Sequence, residues 1–350
     1  MPRDAPRASL SATTPLGRTG GGRATLRPAC VPGTTSCMSQ KSPPPRRTPP
    51  TPAPAGRPVV GILWMLTTGM CFVAVTAIVK YLGTEMPAAQ SAFLRYALGL
   101  VFLIPMLPSL ARAQLDRRAL GLFGLRGAVH SIGVILWFYA MTQIPLAEVT
   151  AMNYLSPIYV AIGAALFLGE KLAARRVMAI AVGLLGAVII LRPGFREISP
   201  GHIAMLGTAV LFAGSYLIAK AMSGRVNAAV VVAMVSITVT IGLAPFAAVD
   251  WVTPSLHQLG GLFLVAAFAT AGHYTMTLAF AAAPLTVTQP VTFLQLVWAV
   301  LLGALVFAEP VDGWVLLGGG IIMASVSFIT WREAMLRRRP VTPTSVETKL

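Results

Sequence analysis

Charge is scarce in this chain: only 11% of its 350 residues are Asp, Glu, Lys or Arg, against roughly 25% in soluble globular domains. With 56% of residues hydrophobic, that scarcity excludes an ordinary soluble enzyme. Acidic residues are rarer still, 11 against 27 Lys and Arg, for a net charge of +16. Three cysteines, Cys30, Cys37 and Cys71, are too few for a disulfide framework, and neither C-x-x-C nor a zinc-type Cys/His spacing occurs. H-E-x-x-H, G-x-S-x-G, a Walker loop and paired aspartates within the apolar runs are all missing. Nucleotide-driven pumping is thereby excluded, the machinery of an intramembrane enzyme is not legible, and no enzyme activity, metal or cofactor is expected.

The chain has a tail with no means of forming a core. Residues 1–57 hold nine Lys/Arg, the single acid Asp4, and the clusters Gly20-Gly21-Gly22 and Pro43-Pro44-Pro45. Such a segment is expected to be a disordered, basic cytoplasmic tail. It lacks the apolar core and small-residue cleavage site of a secretory signal. Met38 is an alternative start of translation to Met1.

From Val59 onward there are ten apolar runs, near 59–79, 87–108, 119–141, 147–169, 174–191, 202–220, 227–249, 258–280, 284–307 and 313–331. Each approaches the ~20 residues needed to cross a bilayer. The fifth is the shortest, with 15 uncharged residues from Val177 to Leu191 behind Arg175 and Arg176. Orientation follows from the basic residues, because short cytoplasmic loops retain Lys and Arg. With both termini inside, 22 of the 27 lie in cytoplasmic segments, three (Lys80, Arg192, Arg196) in outer loops, and two (Arg95, Arg126) within runs. The basic excess therefore reads as orientation and attraction to an anionic lipid leaflet, not as a nucleic-acid surface. The expected partners are the bilayer and a small solute.

The chain also repeats itself. Ala140 to Glu170 aligns without a gap on Ala279 to Glu309, pairing Pro145 with Pro284 and Glu170 with Glu309 at a spacing of 139; Lys80 and Lys220, and Pro105 and Pro245, pair at 140. Five spans per repeat is an odd number, so the second half is inverted relative to the first, an arrangement that supports alternating access.

The run WFYAMTQIPLAEVTAMNYLSPIYVAIGAALFLGEKL (137–172), followed by RRVMAIAVGLLGAVIILRPG (175–194), closely resembles the EamA domain of the drug/metabolite transporter superfamily. VKYLGTEMPAAQSAFLRYALG (79–99) looks like the first loop and second helix of bacterial members, with Arg95 at the usual arginine position. The second half matches more loosely, with Gln289-Pro290 in place of a Thr/Ala region and Ala308 in place of Gly before Glu309. The resemblance spans about residues 59 to 332. It implies an all-α integral membrane protein of ten helices in two inverted five-helix repeats, 59–192 and 202–331, and leaves both tails uncovered, the basic one at 332–350 being expected in the cytoplasm from its charge. It also implies a bacterial-type inner-membrane carrier with a cavity formed by helices 1, 3 and 4 with 6, 8 and 9. Helices 5 and 10 lie outside that ring. Relatives carry amino acids, nucleosides, riboflavin, S-adenosylmethionine and other metabolites in either direction, so the fold alone leaves the substrate open. A facilitative uniporter or exchanger of the same fold is the alternative, followed by a non-transporting membrane scaffold or an intramembrane enzyme.

Polar side chains within a bilayer need a partner or a water-filled cavity, and here they fall in stripes of helical spacing. Thr270, His273, Tyr274 and Thr277 mark helix 8; Thr150, Asn153, Tyr154 and Pro157 mark helix 4; Thr288, Thr292 and Gln295, adjoined by Gln289 and Trp298, mark helix 9; His130 and Trp137 mark helix 3. With Arg95 and Tyr216 these supply the candidate substrate-binding set: Arg95, His130, Trp137, Asn153, Tyr154, Tyr216, His273, Tyr274, Gln289, Thr292, Gln295 and Trp298. His130, His273 and Glu148 are the proton-coupling candidates, histidine being the side chain that titrates most readily near neutral pH. Glu148 also stands at a helix N-terminus, where the dipole stabilises a carboxylate. Arg126, nearer the inner surface, is expected to anchor helix 3 to headgroups. Pro157 and Pro290 are hinge candidates, since proline removes an N–H and frees a carbonyl. Gly183 and Gly186 on helix 5 and Gly318 to Gly320 on helix 10 read as packing surfaces, on which a homodimer is also possible.

Overall fold

The computed structural model describes residues 58–169, 173–222, 228–283 and 285–338. The expectations for the tail at 1–57 and the end of the C-terminal tail lie outside these residues, as do Glu170, Lys171 and Arg225. Ten helices are long and apolar enough to cross a membrane: α1 Pro58–Leu82, α2 Ala88–Ala111, α3 Arg117–Gln143, α4 Leu146–Phe167, α5 Ala174–Leu191, α6 Pro200–Ala219, α7 Ala229–Val249, α8 Leu256–Ala282, α9 Pro290–Phe307 and α10 Gly313–Met335. No strand occurs among the described residues. The short fifth run forms a full helix of 18 residues.

Local chemistry sets the ends. The Asp116 carboxylate accepts the Ala119 N–H at 2.7 Å to open α3, and Ser255 with Gln258 forms a capping box at the start of α8, satisfying backbone donors that the first turn leaves free. In α2 the helix Ala88–Gly99 tightens into a 3-10 stretch over Leu100–Met106 that contains Pro105.

Packing follows the repeat. α1 lies along α8, α3 along α6, and α5 along α10, while α2 is held by α3, α7 and α8. The α5–α10 contact is the glycine surface seen in the sequence, spent inside one chain. A Cβ on Gly186 would meet the Gly318 carbonyl at 2.7 Å, and Gly183 is as closely covered by Ser325. The two helices thus approach backbone to backbone, the way small residues permit in membranes.

The fourth span is broken at Tyr154, between helices Leu146–Asn153 and Leu155–Leu168. The ninth is broken at Phe293, between Leu285–Thr292 and Leu294–Phe307. Positions 154 and 293 stand 139 apart, the repeat spacing itself. Pro157 accounts for the first break, since its ring displaces the bond to the Asn153 carbonyl four residues earlier. Pro290 does not account for the second, because the helix continues through it and stops three residues later. The break recurs at the repeat spacing and falls at Phe293, three residues after the hinge candidate Pro290.

The same spacing relates Gly169 and Ala308, which end the two broken spans with left-handed φ of 67° and 51°. Glycine adopts that conformation freely and alanine does not. Replacing Ala308 with Gly is therefore expected to stabilise the protein by about 0.5–1 kcal/mol, the strain relieved less the added freedom of the unfolded chain. Thermal melting of the detergent-solubilised protein checks this; a lower melting temperature in Ala308→Gly would refute it.

Candidate functional site

Three polar assemblies occupy the spans, and each joins helices distant in sequence.

The first forms where the broken helices meet. The Tyr154 hydroxyl donates to the Thr292 carbonyl at 2.7 Å and lies 3.5 Å from Gln295 Oε1. Its ring stands edge-on to Phe293, centroids 6.5 Å apart. A carbonyl freed by one break is thus satisfied by the residue at the other break, as buried backbone oxygens require. Next to it, Asn153 Oδ1 is buried with no hydrogen-bond partner. Tyr154, Thr292 and Gln295 are therefore brought together as their stripes implied.

The second assembly is a cationic chain across α2, α3 and α6. The Arg95 guanidinium lies 4.1 Å from the centre of the Tyr96 ring. The Tyr96 hydroxyl is 3.2 Å from His130 Nε2, and His130 Nδ1 is 3.1 Å from Ser215 Oγ. Ser215 in turn accepts from Arg126 Nε at 3.3 Å. His130 stacks on Phe212, centroids 4.8 Å apart, and Phe212 bridges to Trp137 and Tyr216. α8 packs against α2, and its His273 stands edge-on to Phe72 of α1, centroids 5.2 Å apart. Arg126 corrects an expectation. It does not reach for headgroups but is buried at 8% exposure, with Nη1 unpartnered. At α-helical rise it sits roughly 13 Å from the start of α3, too deep for an easy reach to the interface while Ser215 and His130 hold it inward.

Polar residues of α8 share one face as their spacing implied. His273, Tyr274 and Thr277 are exposed and Thr270 is partly so, while Val265, Ala269, Gly272 and Thr275 on the other side are buried against α1. Trp298 is exposed as well. Neither Tyr274 nor Trp298 joins the hydrogen-bonded assemblies, and the Gln289 side chain lies outside the described residues. Trp137 reaches the cationic chain only through Phe212, its indole N–H left unpartnered. Tyr216 lines a groove of about 340 Å³ with Pro157, Ala161, Arg176, Ile329 and Glu333.

The third assembly gathers at the start of α4, the loop from α5 to α6 and the loop before α10. Both carboxylate oxygens of Glu148 are held by Arg196, Nη1 at 3.0 Å and Nη2 at 2.8 Å. His202 Nε2 adds a further contact to Oε2. Ser199 fixes that imidazole, its N–H and hydroxyl lying 3.1 and 2.9 Å from Nδ1. Arg192 pairs with Asp312, and Lys80 with Glu309. Glu309 also accepts the Leu146 N–H at 2.9 Å, while Lys80 donates to the Ile144 carbonyl at 2.9 Å. Hydrogen bonding to Glu148 raises the pKa of the Arg196 guanidinium above its ordinary value, so it stays charged. Glu148 is therefore not open to a cavity but locked in a buried pair. Sequence reasoning left out Arg196, His202, Tyr96 and Ser215 as site residues, each a polar residue next to, or one loop from, one it named; only the turn of the chain at 192–199 brings Arg196 and His202 to Glu148.

Among the described residues no group of three or more His, Cys, Asp or Glu is placed to hold a metal ion. The model of the EamA-like transporter family matches residues 59–192 and again 199–331, the two halves that carry these assemblies. The chain belongs to that family. A riboflavin transporter of Vibrio cholerae is 31% identical over 81% of this chain and 96% of its own length. An S-adenosylmethionine uptake transporter of Rickettsia bellii is 28% identical over 78% of this chain and 94% of its own. A solved crystal structure, 19% identical, covers 81% of this chain and 98% of its own with a TM-score of 0.52, and shares the fold. This EamA-family chain is thus a multi-pass membrane transporter and not an enzyme.

Proposed function

We propose that the chain is a secondary active transporter that moves a small organic metabolite across the bacterial inner membrane by alternating access, with both termini in the cytoplasm. The observation that carries this reading is the meeting of two inverted, broken helices at Tyr154 and Phe293. Discontinuous helices at a repeat interface form the substrate site in carriers of this kind, and rocking of one repeat on the other opens it to each side in turn. Ion pairs join the repeats at both ends, Lys80 to Glu309 and Arg192 to Asp312 at the outer end and Arg176 to Glu333 at the inner end, and the outer pairs suit a latch that is made in one state and released in the other. The aromatic rings of Tyr154, Phe293, His130, Phe212 and Tyr216 suit a planar solute, and a riboflavin transporter among the relatives fits that chemistry. Arg95, His130, Asn153, Tyr154, Thr292 and Gln295 are proposed as substrate contacts, and proton coupling is proposed to use His130 and His273. Glu148, with both oxygens engaged, is assigned to the latch.

The test is uptake into proteoliposomes of a mixed pool containing riboflavin and S-adenosylmethionine, read by mass spectrometry with and without an imposed pH gradient. Saturable entry of one solute, counterflow, and accumulation that disappears when the gradient is collapsed are expected. Counterflow without any gradient dependence would replace active transport by a facilitative uniporter or exchanger. Entry no faster than in empty liposomes would remove the transport reading.

A further inference from the structure

A transporter site with two arginines needs an account of their counterions. Arg95 lies roughly 10 Å along α2 from its outer end and Arg126 roughly 13 Å along α3 from its inner end, so both stand deep in the apolar zone. Neither has a carboxylate partner among the described residues. The acids that are described sit at the membrane edges: Glu85, Glu148, Glu197, Asp250, Glu309 and Asp312 at the outer ends, Asp116 and Glu333 at the inner ends. Between the arginines run only neutral or basic groups: Tyr96, His130 and Ser215, with His273 on α8, which packs against α2. Arg126 is buried, and its Nη1 has no hydrogen-bond partner. A buried, uncompensated guanidinium is costly, and within a membrane an ionisable group marks a pathway. The chain is also reachable, since Arg95, Tyr96 and His130 are partly exposed, His273 is exposed, and Tyr216 lines the groove.

We propose that this cationic chain is the binding site for the negative charge of an organic anion, a carboxylate or phosphate joined to a planar body, with Arg126 Nη1 and the Arg95 guanidinium supplying the donors. Guanidinium presents the fork that carboxylates and phosphates match, and His130, stacked on Phe212, leaves an aromatic surface beside it. The proposal rests on the transporter reading and narrows its substrate. It disfavours sulfonium cations such as S-adenosylmethionine, because nothing in the chain offsets a positive charge.

The full-length protein in detergent is melted with charge-matched probes: riboflavin 5′-phosphate against riboflavin, and indole-3-acetate against indole-3-acetamide, with S-adenosylmethionine and sodium sulfate alongside. An anionic member of a pair is expected to raise the melting temperature where its neutral partner does not, and the two pairs separate phosphate from carboxylate. In Arg126→Met the concentration for half-maximal stabilisation is expected to rise roughly 10- to 100-fold, as for loss of a charged hydrogen bond. The ligand-free melting temperature should meanwhile hold or rise, since an unpaired buried charge has been removed, whereas a merely structural arginine would lower it. Should Arg126→Met not fold, Arg95→Gln is read in its place, with loss of the anion response expected and an unchanged response overturning the proposal. Equal stabilisation by neutral partners, a larger effect of S-adenosylmethionine, a shift reproduced by sulfate alone, or an unaltered response in Arg126→Met would each overturn it. Counterflow of a neutral solute that the anions leave untouched would overturn the charge assignment while leaving the transporter reading intact.

Discussion

Replacing Glu148 with alanine is expected to lower the stability of the protein by about 3–5 kcal/mol, the range for removing one partner of a buried ion pair. The reason is the company Glu148 keeps. It is 4% exposed, and its loss strands both Arg196, which forms a two-pronged bond with it, and His202, whose ring Ser199 already orients. Arg196 alone lies 3.9 Å from Asp312 at its nearest oxygen and gains little there. A double-mutant cycle isolates the pair: Arg196→Ala in the Glu148→Ala background should cost much less than it does in the wild type. Additive losses in the cycle would sink the claim that the two act as a unit. In transport, the same variant is expected to open the outer side too readily, so uptake should become leaky before it is lost.

The second large effect is expected at the contact of α5 and α10. A valine at Gly186 would press on the Gly318 carbonyl and the Ile322 backbone, atoms that cannot rotate away, so the helices must separate. Overpacking of this kind costs about 1–3 kcal/mol and more when backbone must move. Gly320 provides the control, because a Cβ there meets nothing within 4 Å. Melting should place Gly186→Val well below both wild type and Gly320→Ala. If the two variants melted together, the close approach would not be what holds α10 in place.

How much of this was legible beforehand differs by element. The ten spans were, including the short fifth, because hydropathy and the position of Arg175 and Arg176 act through the bilayer and not through neighbours. The α8 stripe of His273, Tyr274 and Thr277 was legible for the same reason: helical period alone puts them on one face. Arg126 was misjudged from depth, since a long side chain near a helix end usually snorkels, and nothing local announced that Ser215, 89 residues on, would hold it inward. The break of the ninth span was not legible at Pro290, since it recurs at the spacing of the first repeat's break and falls at Phe293. The resemblance placed the cavity on helices 1, 3, 4, 6, 8 and 9; Arg95 and Tyr96 add helix 2 to the region around His130.

The sequence by itself determined that this chain spans a membrane ten times and that its halves are inverted copies, and local motifs carried the family resemblance. The spans and the inversion follow from hydropathy and periodicity, which act on each segment separately. Only the tertiary structure decided which charges meet. Lys80 finds Glu309, Glu148 finds Arg196, and Arg95 and Arg126 find no acid among the described residues, because pairing depends on how helices far apart in the chain are brought side by side.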